Sequence, residues 1–119
     1  MDHKIKRATE LLLDSCSLAG LRRLARALKH GRVARGTWLD GARGCMCPLG
    51  TAVLARVPVA GDTHSEVVDA VASAVQRRLG TTVYVQRFID WWDDVGSEGE
   101  LTDQVAKAIQ RRLAARSGG

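Results

Sequence analysis

Thr63-His64-Ser65-Glu66-Val67-Val68-Asp69-Ala70-Val71-Ala72-Ser73-Ala74-Val75-Gln76-Arg77-Arg78-Leu79-Gly80 is the stretch that decides the fold class. Val67, Val68, Val71, Ala74, Val75 and Leu79 recur at three- and four-residue steps, so one broad side of a helix is apolar and must be covered. Thr63 and Glu66 have the spacing of a capping box, and Gly80 stands where a C-terminal glycine ends a helix. The pattern predicts a helix over 63–79 that needs other helices against it.

Those partners lie on both sides. After Thr81 and Thr82, the residues Phe88, Ile89, Trp92 and Val95 fit helical spacing, although Val83, Tyr84 and Val85 would also suit a strand. A helix over 83–94 is expected. A loop follows at 96–99, then a last amphipathic helix carrying Leu101, Val105, Ala108, Ile109 and Leu113 that frays into residues 117–119. Toward the N-terminus, Pro48 reads as a first-turn proline, with Leu49, Ala52, Val53 and Ala55 continuing a short helix. Four glycines between 31 and 44 break any long period and mark a loop that carries Trp38 and Leu39 inward, with a short strand at 36–39. Ser17 caps a helix whose apolar stripe is Leu18, Leu21, Leu24, Ala25 and Leu28, ending near Gly31. Ile5, Ala8, Leu11, Leu12 and Cys16 predict a further helix over 3–15. The expected fold is one mainly α domain of five or six helices over 1–116, with a minor β-hairpin formed by 36–39 and 82–85 and a flexible tail at 117–119.

The composition narrows the function classes. A chain of 119 residues, 45% hydrophobic, is the size of one domain with one core. Its apolar stretches are interrupted by charge long before the roughly 18 residues of a membrane span. The N-terminal Met1-Asp2-His3-Lys4-Ile5-Lys6-Arg7 leads into too short an apolar run for a signal peptide, so a cytoplasmic protein with no membrane contact is expected. Three cysteines, Cys16, Cys45 and Cys47, suit free thiols better than a disulfide framework.

The net charge of +5 is unevenly distributed. Between Ser15 and Gly61, Arg22, Arg23, Arg26, Lys29, Arg32, Arg35, Arg43 and Arg56 face the single carboxylate Asp40, a local charge of +7. Between Phe88 and Ala106 stand Asp90, Asp93, Asp94, Glu98, Glu100 and Asp103 with no Lys or Arg. Arg22, Arg23, Arg26, Lys29, Arg32, Arg35 and Arg43 are therefore candidates for gripping nucleic acid or an acidic partner. Helix-turn-helix registers fail: around Gly20 the later core positions fall on Arg26 and Lys29, and around Gly80 an apolar position falls on Gln86.

In Phe88-Ile89-Asp90-Trp91-Trp92-Asp93-Asp94, Phe88 and Trp92 share a helix face while Trp91 points about 100° away. Trp91, with Asp93 and Asp94, is thus the candidate protein-binding surface, an exposed tryptophan being a natural interface anchor. Gly44-Cys45-Met46-Cys47-Pro48-Leu49-Gly50 is the most unusual local sequence. If Cys47 caps the helix opened by Pro48, the dipole and Arg43 would lower its thiol pKa toward a reactive thiolate. However, His3, His30 and His64 show no spacing to it that would mark a catalytic base. One close cysteine pair with a one-residue spacer also lacks the second cluster of a structural zinc site. No catalytic set, metal or cofactor is expected.

The order Trp38, then Gly44-Cys45 or Cys47 with Gly50, then Trp92-Asp93-Asp94 and the helix through Ala108 resembles a group of small uncharacterised proteins of actinobacteria and their phages. In that group a Trp precedes a Gly-x-Cys-x-x-Gly-like element, and a Trp-Asn-Asp-like segment precedes the final helix; here Asp93 stands in place of the Asn. The resemblance implies a single compact fold and a phage or mobile-element setting, and no chemistry. Taken together, the leading expectation is a small, non-catalytic binding or regulatory protein whose partner is another protein. Nucleic-acid binding through 22–43 and a thiol enzyme or metal site at Cys45/Cys47 are the alternatives.

Overall fold

The computed structural model describes residues 3–94 and 98–117. In chain order the elements are α1 (His3–Ser15), α2 (Leu18–Lys29), β1 (Leu39–Asp40), β2 (Cys45–Met46), α3 (Pro48–Val53), α4 (Thr63–Leu79), α5 (Val83–Asp94) and α6 (Glu98–Ser117). The mainly α fold with a minor hairpin is as expected, and the ends of α1, α4 and α5 fall where their periodicity stops. Ser17 caps α2, its hydroxyl accepting from the Gly20 amide at 3.0 Å. Gly80 closes α4 in the left-handed conformation at φ +71°, donating to the Gln76 carbonyl.

Three local details differ from expectation. The cap of α4 is Asp62, whose carboxylate accepts from both the amide and the hydroxyl of Ser65; a carboxylate suits the positive end of the helix better than the Thr63 hydroxyl does. The hairpin pairs Leu39 with Met46 and Asp40 with Cys45, not 36–39 with 82–85. Residues Val83 to Val85 open α5 instead, because a helix buries Val85, Phe88, Ile89 and Trp92 on one side, and that burial outweighs the strand preference of a β-branched run. Glu98 and Gly99, read as loop, begin α6, and Ser117 ends it; the rest of the expected loop and tail, 96–97 and 118–119, lies outside the described residues.

Helix α1 packs against α4, α5 and α6, α2 against α3 and α6, and α3 against α4. Phe88 and Trp92 sit at the centre of the core with rings nearly parallel, 6.3 Å apart. Two glycines allow close approaches. A Cβ on Gly20 would stand 2.3 Å from the Ala52 carbonyl oxygen, so α2 and α3 touch backbone to backbone. A Cβ on Gly50 would stand 2.9 Å from Val67 Cγ1, which sets the spacing of α3 against α4.

Helix ends explain much of the arginine content. Carbonyls at a C-terminus carry partial negative charge and lack intrahelical partners. α2, α4 and α6 carry their own basic residues in the last turn, whereas α1, α3 and α5 carry none. Each of these three receives an arginine from elsewhere. Arg116 donates to the Asp14 carbonyl in the last turn of α1 and to the Cys16 carbonyl just after it, at 3.0 and 2.8 Å. Arg23 donates to Thr51 and Ala52 of α3, at 3.4 and 2.9 Å. Arg35 donates to Trp92 of α5 at 2.8 Å.

Candidate functional site

The basic segment divides into cations used by the fold and cations left at the surface. Arg23 and Arg35 bind helix-end carbonyls. Arg32 donates to the Arg43 carbonyl at 3.3 Å and Arg43 to the Gly31 carbonyl at 2.6 Å, which straps the end of α2 to the hairpin turn. Asp40, the segment's only carboxylate, accepts from the Arg43 amide at 3.1 Å and holds the turn. Arg22, Arg26 and Lys29 are exposed and make no hydrogen bond or ion pair with any described residue. Spaced four and three residues apart, they form a ridge along one side of α2 about 10 Å long.

Beside the ridge is a cleft of about 260 Å³. Arg23, Arg26 and His30 come from α2 and its end, Arg32 from the following loop, Gly44 and Met46 from the hairpin, and Thr51, Leu54 and Val57 from α3 and the chain after it. Its floor is apolar and its rim cationic, with no carboxylate in its lining. Arg23 and Arg32 are already oriented by the carbonyls they bind, and each keeps guanidinium N–H groups free to donate. Gly44 turns the chain beside Arg32 at φ +65°, a left-handed conformation that favours glycine. Sequence reasoning found the arginines but not the cleft: His30, Met46, Leu54 and Val57 belong to three separate segments, and no local pattern signals that they meet.

A second groove rich in cations, between α1 and α6, is neutralised from within. Glu10 lies among Lys6, Lys107 and Arg111 there and is ion-paired to Arg112 and Arg111. Burial raises the Glu10 pKa, but the Arg112 hydrogen bond and the charges of Arg112, Arg111 and Lys6 outweigh it, and the net shift is downward.

The aromatic segment is placed differently from expectation. Trp91 is only 4% exposed and meets Phe88 edge to face at 5.9 Å, so it is a core residue and not a surface anchor. Helix α5 packs against α1, and the loop after α2 clasps its end at Trp92 and Asp93. In that clasp Trp92 Nε1 donates to the Ala34 carbonyl at 2.9 Å, and the Gly36 amide donates to Asp93 Oδ1 at 2.9 Å. Asp93 is thereby committed to the fold, while Asp94 remains exposed. The basic and acidic segments meet here, through Arg35, Gly36, Trp92 and Asp93. The side chains of Glu98 and Glu100 lie outside the described residues.

Cys47 does cap α3, its sulfur accepting from the Gly50 amide at 3.3 Å. The expected activation does not follow. Burial pushes the thiol up to about 11, against the smaller lowering by the Gly50 and Leu49 amides. At neutral pH it is a protonated, 1% exposed core group and no nucleophile. Cys16 is likewise pushed up by burial to about 11, and Cys45 is buried. Among the described residues no three His, Cys, Asp or Glu side chains are placed to share a metal ion, and no helix is long and apolar enough to cross a membrane. Compared with family models, with curated proteins and with solved structures, the chain matches none, and its function is to be read from its own geometry.

Proposed function

We propose that the chain is a small, non-catalytic binding protein acting through protein-protein contacts, with the ridge and cleft of α2 as its contact surface and an acidic segment as what it contacts. One observation carries this reading: Arg22, Arg26 and Lys29 are exposed and bond to no described residue, while Arg23, Arg32, Arg35 and Arg43 each donate to a backbone carbonyl. The same division argues against a grip on nucleic acid. With Arg56, four cations of the basic segment are exposed and unbonded to any described residue, which corresponds to a slope of log affinity on log salt of about −3.6, short of the six to ten contacts of a protein that holds a duplex. A phage or mobile-element setting, implied by the order of Trp38, Cys45 and Trp92 motifs, belongs to the same proposal.

The test is an amide-shift titration of labelled protein with a glutamate-rich dodecapeptide and, separately, a dodecamer DNA duplex at physiological salt. The peptide is expected to move amides of α2, and the triple variant Arg22→Glu, Arg26→Glu, Lys29→Glu to abolish the response. Absence of any α2 response to the peptide would overturn the proposal. Duplex binding with a salt slope steeper than about −5 would replace it with the nucleic-acid reading.

A further inference from the structure

We infer that the cleft beside the ridge receives the C-terminal residue of the protein partner, its carboxylate between Arg26 and Arg32 and its apolar side chain on Met46, Leu54 and Val57; this rests on the reading of α2 as a protein-binding surface. The first step is charge. Three guanidinium groups and the His30 imidazole surround a cleft with no carboxylate in its lining, so the occupant is anionic. The second step is the fork geometry of arginine, which matches a carboxylate or phosphate with paired N–H donors. Arg32 is oriented for this by its bond to the Arg43 carbonyl at 3.3 Å.

The third step separates the anions. At about 260 Å³ the cleft is below the about 300 Å³ at which pockets for drug-sized ligands begin, so it takes about one residue. Within that volume it offers both an apolar floor and a cationic rim. An internal Asp or Glu brings a carboxylate without an apolar branch, and an internal Leu or Ile brings the reverse. A terminal apolar residue carries both on one Cα. A sugar phosphate would set hydroxyls against Met46, Leu54 and Val57, burying polar groups without partners.

The test uses calorimetry on the full chain with four probes: an acetylated pentapeptide ending in leucine with a free carboxylate, its C-terminal amide, an amidated pentapeptide with an internal glutamate, and adenosine monophosphate. The acid is expected to bind at least about tenfold more tightly than the amide, the worth of a charge-assisted bond pair. Arg32→Gln, at an exposed position, is expected to bring that ratio close to one, while Arg87→Gln, exposed on α5 and outside the cleft lining, leaves it unchanged; circular dichroism checks that both variants keep the wild-type helicity. Equal binding of acid and amide, or tighter binding of adenosine monophosphate than of the acid, would overturn the inference. If the internal-glutamate peptide binds and the leucine acid does not, the cleft inference falls and the ridge reading stands. If neither they nor the glutamate-rich dodecapeptide perturb α2, both fall.

Discussion

Replacing Gly20 with alanine gives the sharpest test of how α2 meets α3. In an open helix interior, Gly→Ala stabilises by about 1 kcal/mol, because alanine loses less backbone entropy on folding. At Gly20 the added Cβ would stand 2.3 Å from the Ala52 carbonyl oxygen and 3.2 Å from its carbon. Ordinary contact requires α3 to retreat by about 1 Å, and overpacking of that kind costs about 1–3 kcal/mol. The same oxygen accepts the Arg23 bond at 2.9 Å. Displacing it loses a charge-assisted bond worth about 1.5–3 kcal/mol. Against the helix-propensity gain, the net is a destabilisation of about 1.5–5 kcal/mol. For a chain of this size that lowers the melting temperature by about 10 °C.

Urea and thermal unfolding followed by circular dichroism measure it. Gly99→Ala is the matched control, since Gly99 is helical with nothing near its missing Cβ, and it should gain up to about 1 kcal/mol. Arg23→Ala combined with Gly20→Ala should cost less than the two single changes added, because both act on one carbonyl. A Gly20→Ala protein as stable as wild type would refute the backbone contact between α2 and α3, and with it the wall of the cleft that Arg23 and Thr51 form.

Trp92→Phe keeps the ring stacked on Phe88 but orphans the buried Ala34 carbonyl, and should cost about 1–3 kcal/mol in urea unfolding. Arg116→Ala uncovers the carbonyls that end α1 and should destabilise by about 1–2 kcal/mol, with hydrogen exchange rising first at the end of α1. The lowered pKa of Glu10 makes its contribution fully present above the ordinary carboxylate value of 4.5 and lost as pH falls through the folded value. Glu10→Gln should therefore flatten the acid limb of the stability curve. The raised thiols act on the alkaline side. Stability should decline as pH rises from 9.0 toward about 11, because the unfolded chain loses those protons first. Cys47→Ser keeps an N-cap acceptor for Gly50 and should reduce that decline.

What the chain alone determined is what neighbours in sequence settle between themselves. A cap and its first amide are three residues apart, so Ser17 and Gly20 mark the start of α2, and Gly80 its counterpart at the end of α4. An apolar stripe likewise repeats within four residues, so α1, α4 and α5 were legible from end to end. Charge segregation was legible too, but not its use. Arg22 and Arg23 are adjacent and alike in type; one faces solvent and the other caps a helix 29 residues further on, because α3 happens to end beside that turn of α2.

Only the tertiary structure made such decisions. Trp91 is 4% exposed because packing across the chain covers the face that helical periodicity left outside, while the loop from Ala34 to Gly36 takes up the neighbouring Trp92 and Asp93 from 57–58 residues away. The cysteine that local geometry would activate is silenced by burial that no local pattern encodes. The basic cleft exists because the ends of α2 and α3 and the hairpin turn come together. Periodicity and capping act along the chain within a few residues, whereas burial, close approach and the fate of each charge depend on which surfaces meet across it.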